Sequence, residues 1–192
     1  MQQSKRIATC LAGALATLAF ICGTGGPAVA APPTGEVITG AWQHHHASFS
    51  YYGITSLYSC DALESNVRSL LEYLGARKGA TVSANGCSRG PSVPTRNALI
   101  EVDFYALAPA TDSQDAVQAQ WAPAVVNSTH PYFMGRGDCE LIEQMKDLIT
   151  KNFSLRDLNY RTDCTPHEIT LDGFSIKAQV LKAVPAPRAA KG

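Results

Sequence analysis

Two tryptophans and four cysteines constrain the fold most, because they recur as an ordered set. Trp42 and Trp121 are the only tryptophans, and each precedes a cysteine, Cys60 and Cys139, by the same interval. Cys87 and Cys164 follow these cysteines at nearly equal intervals. Each first cysteine opens a helical pattern, and each second one closes a strand-like segment, 81–87 and 158–164. A further alternating segment comes next, 98–107 and 174–184. Strand, helix, strand, strand therefore occurs twice, with Trp121 repeating Trp42 and Cys139 repeating Cys60. We read this as an internal repeat with halves 41–107 and 120–184, whose helices align only if one residue is deleted after the cysteine.

The repeat selects a disulfide pattern. Four cysteines allow three connectivities, and only Cys60–Cys87 with Cys139–Cys164 puts the same staple in both halves. Each bridge closes a loop of about 25 residues, worth on the order of 3 kcal/mol by loop entropy.

Local signals agree with the element order. Ser59 and Asp138 precede the cysteines, where a helix wants a side-chain acceptor for its free N–H groups. Asp61, Glu64, Glu140 and Glu143 put negative charge near the helix starts. Leu63, Val67, Leu70, Leu71 and Leu74 recur at helical spacing, as do Leu141 or Ile142, Met145, Leu148, Ile149 and Phe153. Gly75 suits a helix C-terminus.

Ile100, Val102, Phe104 and Ala106 alternate against Glu101, Asp103 and Tyr105. Phe174, Ile176, Ala178 and Val180 alternate against Ser175, Lys177 and Gln179. Segments 47–52 and 122–127 are the first strands of the halves. Alternation means one covered face and one polar face, which favours antiparallel order. The expected fold is α+β, with two helices packed on an antiparallel sheet in a ferredoxin-like or related two-layer sandwich. Whether the halves share one sheet stays open. Segments 88–97 and 108–120 are loops.

The N-terminus reads as an export signal. Lys5 and Arg6 precede an apolar run from Ile7 to Ile21, and small residues end at Ala28-Val29-Ala30. The run is shorter than the roughly 20 residues a membrane span needs. Cys22 follows the bulky Ile21, which argues against lipid attachment there. The expectation is a signal peptide over 1–30, a flexible tail over 31–40, one domain over 41–184 and a second tail over 185–192. The location is periplasmic or secreted, in a bacterial setting. After cleavage, 14 basic and 16 acidic side chains leave a charge near −2. That balance is unsuited to phosphate backbones or anionic membranes, so neither nucleic acid nor a membrane is an expected partner.

Few residues suggest chemistry. In an extended segment His44 and His46 share a face and could chelate copper, zinc or nickel, with His45 pointing away. Two imidazoles bind weakly, so His130, His167 or Glu36 would have to complete the shell. The exposed-aromatic candidates are Phe49, Tyr51, Tyr52, Tyr58, Tyr132 and Phe133, suited to a protein, peptide or glycan partner. Ser88 lies in a glycine-flanked segment but not between strand and helix, as a nucleophile elbow requires. The acid pairs Asp61/Glu64 and Glu140/Glu143 are more simply helix-start charges. The sequons at Asn127 and Asn152 are not expected to be glycosylated in that setting. The reading is an exported, non-enzymatic binding or accessory protein of unknown ligand. The alternatives are a Cu/Zn-binding protein using His44 and His46, and an enzyme of unrecognised type.

Overall fold

The computed structural model describes residues 36–87, 90–110, 116–170 and 172–185. The segment read as an export signal, residues 31–35, Ser88 and most of the segment read as a C-terminal tail lie outside them.

Strands β1 (Val37–Tyr52), β2 (Thr81–Asn85), β3 (Asn97–Pro109), β4 (Ala116–Asn127), β5 (Leu155–Thr162) and β6 (Phe174–Ala183) form one sheet in the order β2-β3-β1-β4-β6-β5. Every pairing is antiparallel. The helices are α1 (Cys60–Tyr73), α2 (Cys139–Gln144) and α3 (Lys146–Asn152), with a 3-10 turn at Arg136–Asp138. β1 starts at Val37, so it takes in residues assigned by sequence to the tail and carries the histidine run inside the strand rather than before it.

The element order β-α-β-β occurs twice, and the strand registers agree. Trp42 pairs with Leu107 and Trp121 with Leu181; Ala47 pairs with Val102 and Val126 with Ile176. The halves meet where Val37–Ala41 pairs with Ala116–Gln120. Gly40 permits this approach, since a Cβ there would stand 3.0 Å from Ala119 Cβ. Beyond the junction β1 runs on beside β3, and β4 beside β6.

The core lies on the helix side of the sheet. Leu63, Val67, Leu70, Leu71 and Leu74 of α1 are buried with Ile100, Val102 and Phe104 of β3, and with Phe174, Ile176 and Val180 of β6. These are the alternating positions that the sequence marks as apolar. Burying one such leucine stabilises by roughly 2 kcal/mol. Ser59 caps α1 by accepting the Ala62 N–H at 3.2 Å. Gly75, at φ +103°, ends it in the left-handed conformation that a helix C-terminus favours.

The second helix differs from its expected form. It breaks at Met145 into α2 and α3, and the helices align without the one-residue deletion expected from the sequence. Leu63 and Ile142 are buried at matching steps from their cysteines; Val67 has its buried counterpart one residue early, in Met145. Leu70 and Ile149 match again. Asp138 does not cap α2 with its side chain. It accepts the Gly135 N–H at 2.6 Å, one turn earlier.

Both disulfides join the cysteines expected from the sequence. Cys60–Cys87 spans 6.2 Å between Cα atoms and Cys139–Cys164 spans 5.7 Å.

The helices also tie the halves to each other. The Tyr73 hydroxyl of α1 donates to the Val125 carbonyl at 2.9 Å and accepts the Val125 N–H at 3.3 Å. Gln144 of α2 accepts the Tyr52 N–H at 2.6 Å and donates to its carbonyl at 2.9 Å. Each side chain satisfies a strand edge of the opposite half, where unpaired N–H and C=O groups are costly.

Candidate functional site

Alternation along β1 and β3 gives the first half-sheet an outer face, turned away from the helices. Directly paired residues share a face. The pairs His44/Tyr105, His46/Asp103, Ser48/Glu101 and Ser50/Leu99 therefore stand together on it. Thr81, Ser83 and Asn85 of β2 extend the same rows.

Three grooves line up on this face. One of about 520 Å³ is lined by Ser50, Tyr52, Asn85, Gly86, Asn97 and Leu99, with Tyr51 and Ala98. Tyr52 is 50 % and Leu99 46 % exposed, so both rim it as open apolar surface. A smaller groove, about 190 Å³, lies beside His46, Thr81, Ser83, Glu101, Val102 and Asp103. The third, about 520 Å³, is formed by Trp42, Arg77, Tyr105, Ala116 and Val117. At the junction of the halves, Ile38, Trp42, Val117 and Trp121 cover the buried Leu107, Ala119 and Leu181. Arg156 stacks on the Trp121 ring at 4.0 Å. The Trp121 indole nitrogen is buried without an acceptor among the described residues.

The histidines do share a face, but they do not build a metal centre. Asp103 stands between them, with His44 Nε2 at 2.8 Å from Oδ1 and His46 Nδ1 at 3.7 Å from Oδ2. Each imidazole nitrogen is thus turned onto a separate carboxylate oxygen, where a shared cation would have to sit. His130 packs edge-on to the Tyr73 ring at 6.0 Å, and the His167 N–H bonds Thr55 Oγ1 at 2.9 Å. Glu36 immediately precedes β1. Among the described residues no group of three His, Cys, Asp or Glu side chains is disposed to hold a metal. The expectation of copper or zinc at His44 and His46 is therefore corrected.

The electrostatics follow from these contacts. The His44 hydrogen bond, with the charges of His44 and His46, holds the exposed Asp103 carboxyl below its usual range. His45 points to the core side, stacked on Phe104 at 5.4 Å. Burial lowers its pKa, against a hydrogen bond donated to Asn152 that raises it.

The aromatic candidates do not form one surface. Tyr51 is buried, and Tyr58 lies in the core edge-on to it at 5.5 Å. Phe49 and Phe133 pack against the core. Tyr132 is 95 % exposed but lies with Phe133 and Tyr73, away from the grooves; Tyr52 alone reaches one as an exposed ring. The acid pairs are separated by their partners. Asp61 accepts from Ser92 Oγ, and Glu64 from the Ala84 N–H. Glu140 accepts backbone N–H groups from Ile54, Thr55 and Ser56. The Tyr58 hydroxyl donates to Asp138. Glu140 and Asp138 thus fix the loop after β1, and Asp61 and Glu64 hold Ser92 and β2, rather than converging on a groove. Among the described residues no helix is long and apolar enough to cross a membrane.

Sequence reasoning placed Glu101, Asp103 and Tyr105 on a polar face but did not assign them to a site. Its missing step was the β1–β3 register, which brings them beside His44 and His46. Arg77 gave no signal at all, because it reaches the third groove only through the turn after α1. Compared with protein-family models, curated proteins and solved structures, the chain finds no match.

Proposed function

We propose that this chain is an exported, non-enzymatic binding protein whose ligand lies along the outer face of the first half-sheet. We further propose that its halves arose by duplication of one stapled β-α-β-β unit. The observation that carries the binding reading is the alignment of three grooves on one helix-free face. Its side chains are suited to stacking and hydrogen bonding: Tyr52, Leu99, Tyr105 and Trp42, with Ser50, Asn85 and Asn97 between or beside them. Rings with one apolar face and interspersed amides and hydroxyls suit a saccharide chain. Matching registers and equivalent disulfides support the duplication. The histidine run then belongs to one copy, since Pro123 and Val125 stand at the corresponding steps past Trp121.

Export is tested by expressing the full chain in a bacterial host and sequencing the secreted product, which should begin at Ala31. Binding is tested by probing an oligosaccharide array with the mature, oxidised protein. The Tyr52→Ala and Trp42→Ala changes should each reduce capture, while Tyr132→Ala should not. Capture lost only in Tyr132→Ala would refute the assignment of the face.

A further inference from the structure

We propose that the groove of Trp42, Arg77, Tyr105, Ala116 and Val117 receives an acidic sugar residue, a pyranose ring bearing a carboxylate. This rests on the reading of the outer face as the binding face and names the chemistry of one end of it.

The groove joins elements far apart in sequence. Trp42 comes from β1, Tyr105 from β3, Ala116 and Val117 from β4, and Arg77 from the turn after α1. That turn is fixed, because the Arg77 N–H donates to the Tyr105 carbonyl at 2.8 Å. Arg77 is thereby held at the groove that Trp42 and Tyr105 line. It is exposed and makes no ion pair among the described residues. An arginine so placed presents a planar fork of donors that matches a carboxylate bidentately. The indole of Trp42 and the ring of Tyr105 offer flat apolar surface for the C–H face of a pyranose. His44 packs against Tyr105 at 5.0 Å between ring centroids, with its Nε2 engaged by Asp103, which steadies that ring.

The neighbourhood also limits the charge of the ligand. Asp103 stands on the same face as Tyr105 and next to it along that row, with Glu101 beyond. A multiply charged phosphate at Arg77 would be repelled by both, whereas a monoanion pairs with Arg77 at less cost. From this groove the face continues past His46 to the Tyr52–Leu99 groove. A chain of sugars can therefore run on along it.

The test uses the mature, oxidised chain and three soluble probes of equal length. These are a neutral oligomer ending in one galacturonate, the same oligomer with that carboxylate reduced to an alcohol, and the same oligomer with a sulfate ester in its place. Binding is read by calorimetry and by tryptophan emission, with Trp121→Phe leaving Trp42 as the reporter. The uronate-ended oligomer should bind tightest and shift the emission. Arg77→Gln should weaken it by about tenfold, the scale of one charge-assisted pair, and leave the reduced oligomer unchanged. Tyr105→Ala should weaken both. Equal affinity for the acidic and reduced oligomers, or no effect of Arg77→Gln, would overturn the proposal. Tighter binding of the sulfated oligomer would overturn the carboxylate assignment. If no probe binds but Tyr52-sensitive capture on the array persists, this inference fails and the wider reading of the face stands. Array capture indifferent to both Tyr52 and Trp42 defeats the wider reading itself.

Discussion

Replacing Glu140 by glutamine should cost the fold about 3 kcal/mol at neutral pH, and almost nothing in acid. Its buried carboxylate receives the Ile54 N–H at 2.9 Å on one oxygen and the Thr55 N–H at 2.9 Å on the other. Longer contacts to Thr55 and Ser56, at 3.1 and 3.5 Å, complete the cradle. Glutamine keeps one acceptor oxygen and turns an amide donor toward the N–H groups that the second oxygen held. Hydrogen bonds to a charged group contribute roughly 1.5–3 kcal/mol each, so losing one and weakening the others gives the figure above.

Burial alone would raise the Glu140 pKa, but the backbone N–H groups of Thr55, Ile54 and Ser56 outweigh it and hold it below 4.5. A depressed carboxyl contributes stability that is present above its unfolded pKa and lost as pH falls through the folded one. Urea unfolding of the oxidised protein should therefore show the full gap between wild type and Glu140→Gln at pH 7. The gap should close as the pH drops below 4.5. A gap under about 0.5 kcal/mol at pH 7, within the scatter of ordinary surface changes, would refute the cradle. So would a gap that stays constant into acid.

Other consequences follow from the same geometry. Removing the Cys60–Cys87 bridge by a double serine substitution should lower stability by about 3 kcal/mol; denaturant midpoints measure it, and the second bridge should cost a similar amount. Segments 36–110 and 116–185, produced separately, should each lack cooperative unfolding by circular dichroism, because Tyr73 and Gln144 satisfy edges in the opposite half. In an NMR titration His45 should protonate below the ordinary histidine value of about 6.5. Asp103 should titrate below the usual carboxylate range and return toward it in His44→Ala; an unchanged Asp103 in that variant would contradict the pairing.

Much of the scaffold was legible in the sequence because it follows local periodicity and the recurring tryptophan and cysteine intervals. The alternation in 98–107 and 174–184 identified the buried row of each strand, and the tryptophan and cysteine intervals fixed the disulfides. The boundaries of β1 and β4 were less legible. Their first residues, Val37–Ala41 and Ala116–Gln120, are small or polar and acquire strand form by pairing with each other. The site was less legible still. Asp103 is remote from His46 along the chain, with α1 and β2 between them, and only the antiparallel register joins them. That register also bears on why the metal reading failed: it brings up Asp103, which binds the His44 imidazole, and the described residues there form no group of three ligands.

The two halves offer an internal comparison that separates scaffold from site. Tyr73 and Asn152 end their helices at the same step from Cys60 and Cys139, and each reaches the first strand of the other half, at Val125 and His45. Gly75 and Ser154 also correspond. A Cβ at Gly75 would stand 3.0 Å from the Leu181 carbonyl, and Ser154 Oγ donates to the Leu107 carbonyl at 3.0 Å. Leu107 and Leu181 are themselves the register partners of Trp42 and Trp121. Contacts preserved in both halves, despite different side chains, are those the swapped packing requires. The outer face is not preserved in this way. Lys177 stands opposite Val125 where Asp103 stands opposite His46, and Gln179 stands opposite Pro123 where Tyr105 stands opposite His44. A lysine and a glutamine hold the second half-sheet together as well as an aspartate and a tyrosine hold the first. The fold therefore does not demand the His44, His46, Asp103 and Tyr105 set, and it is on this set that the proposed binding face differs from its counterpart in the second half.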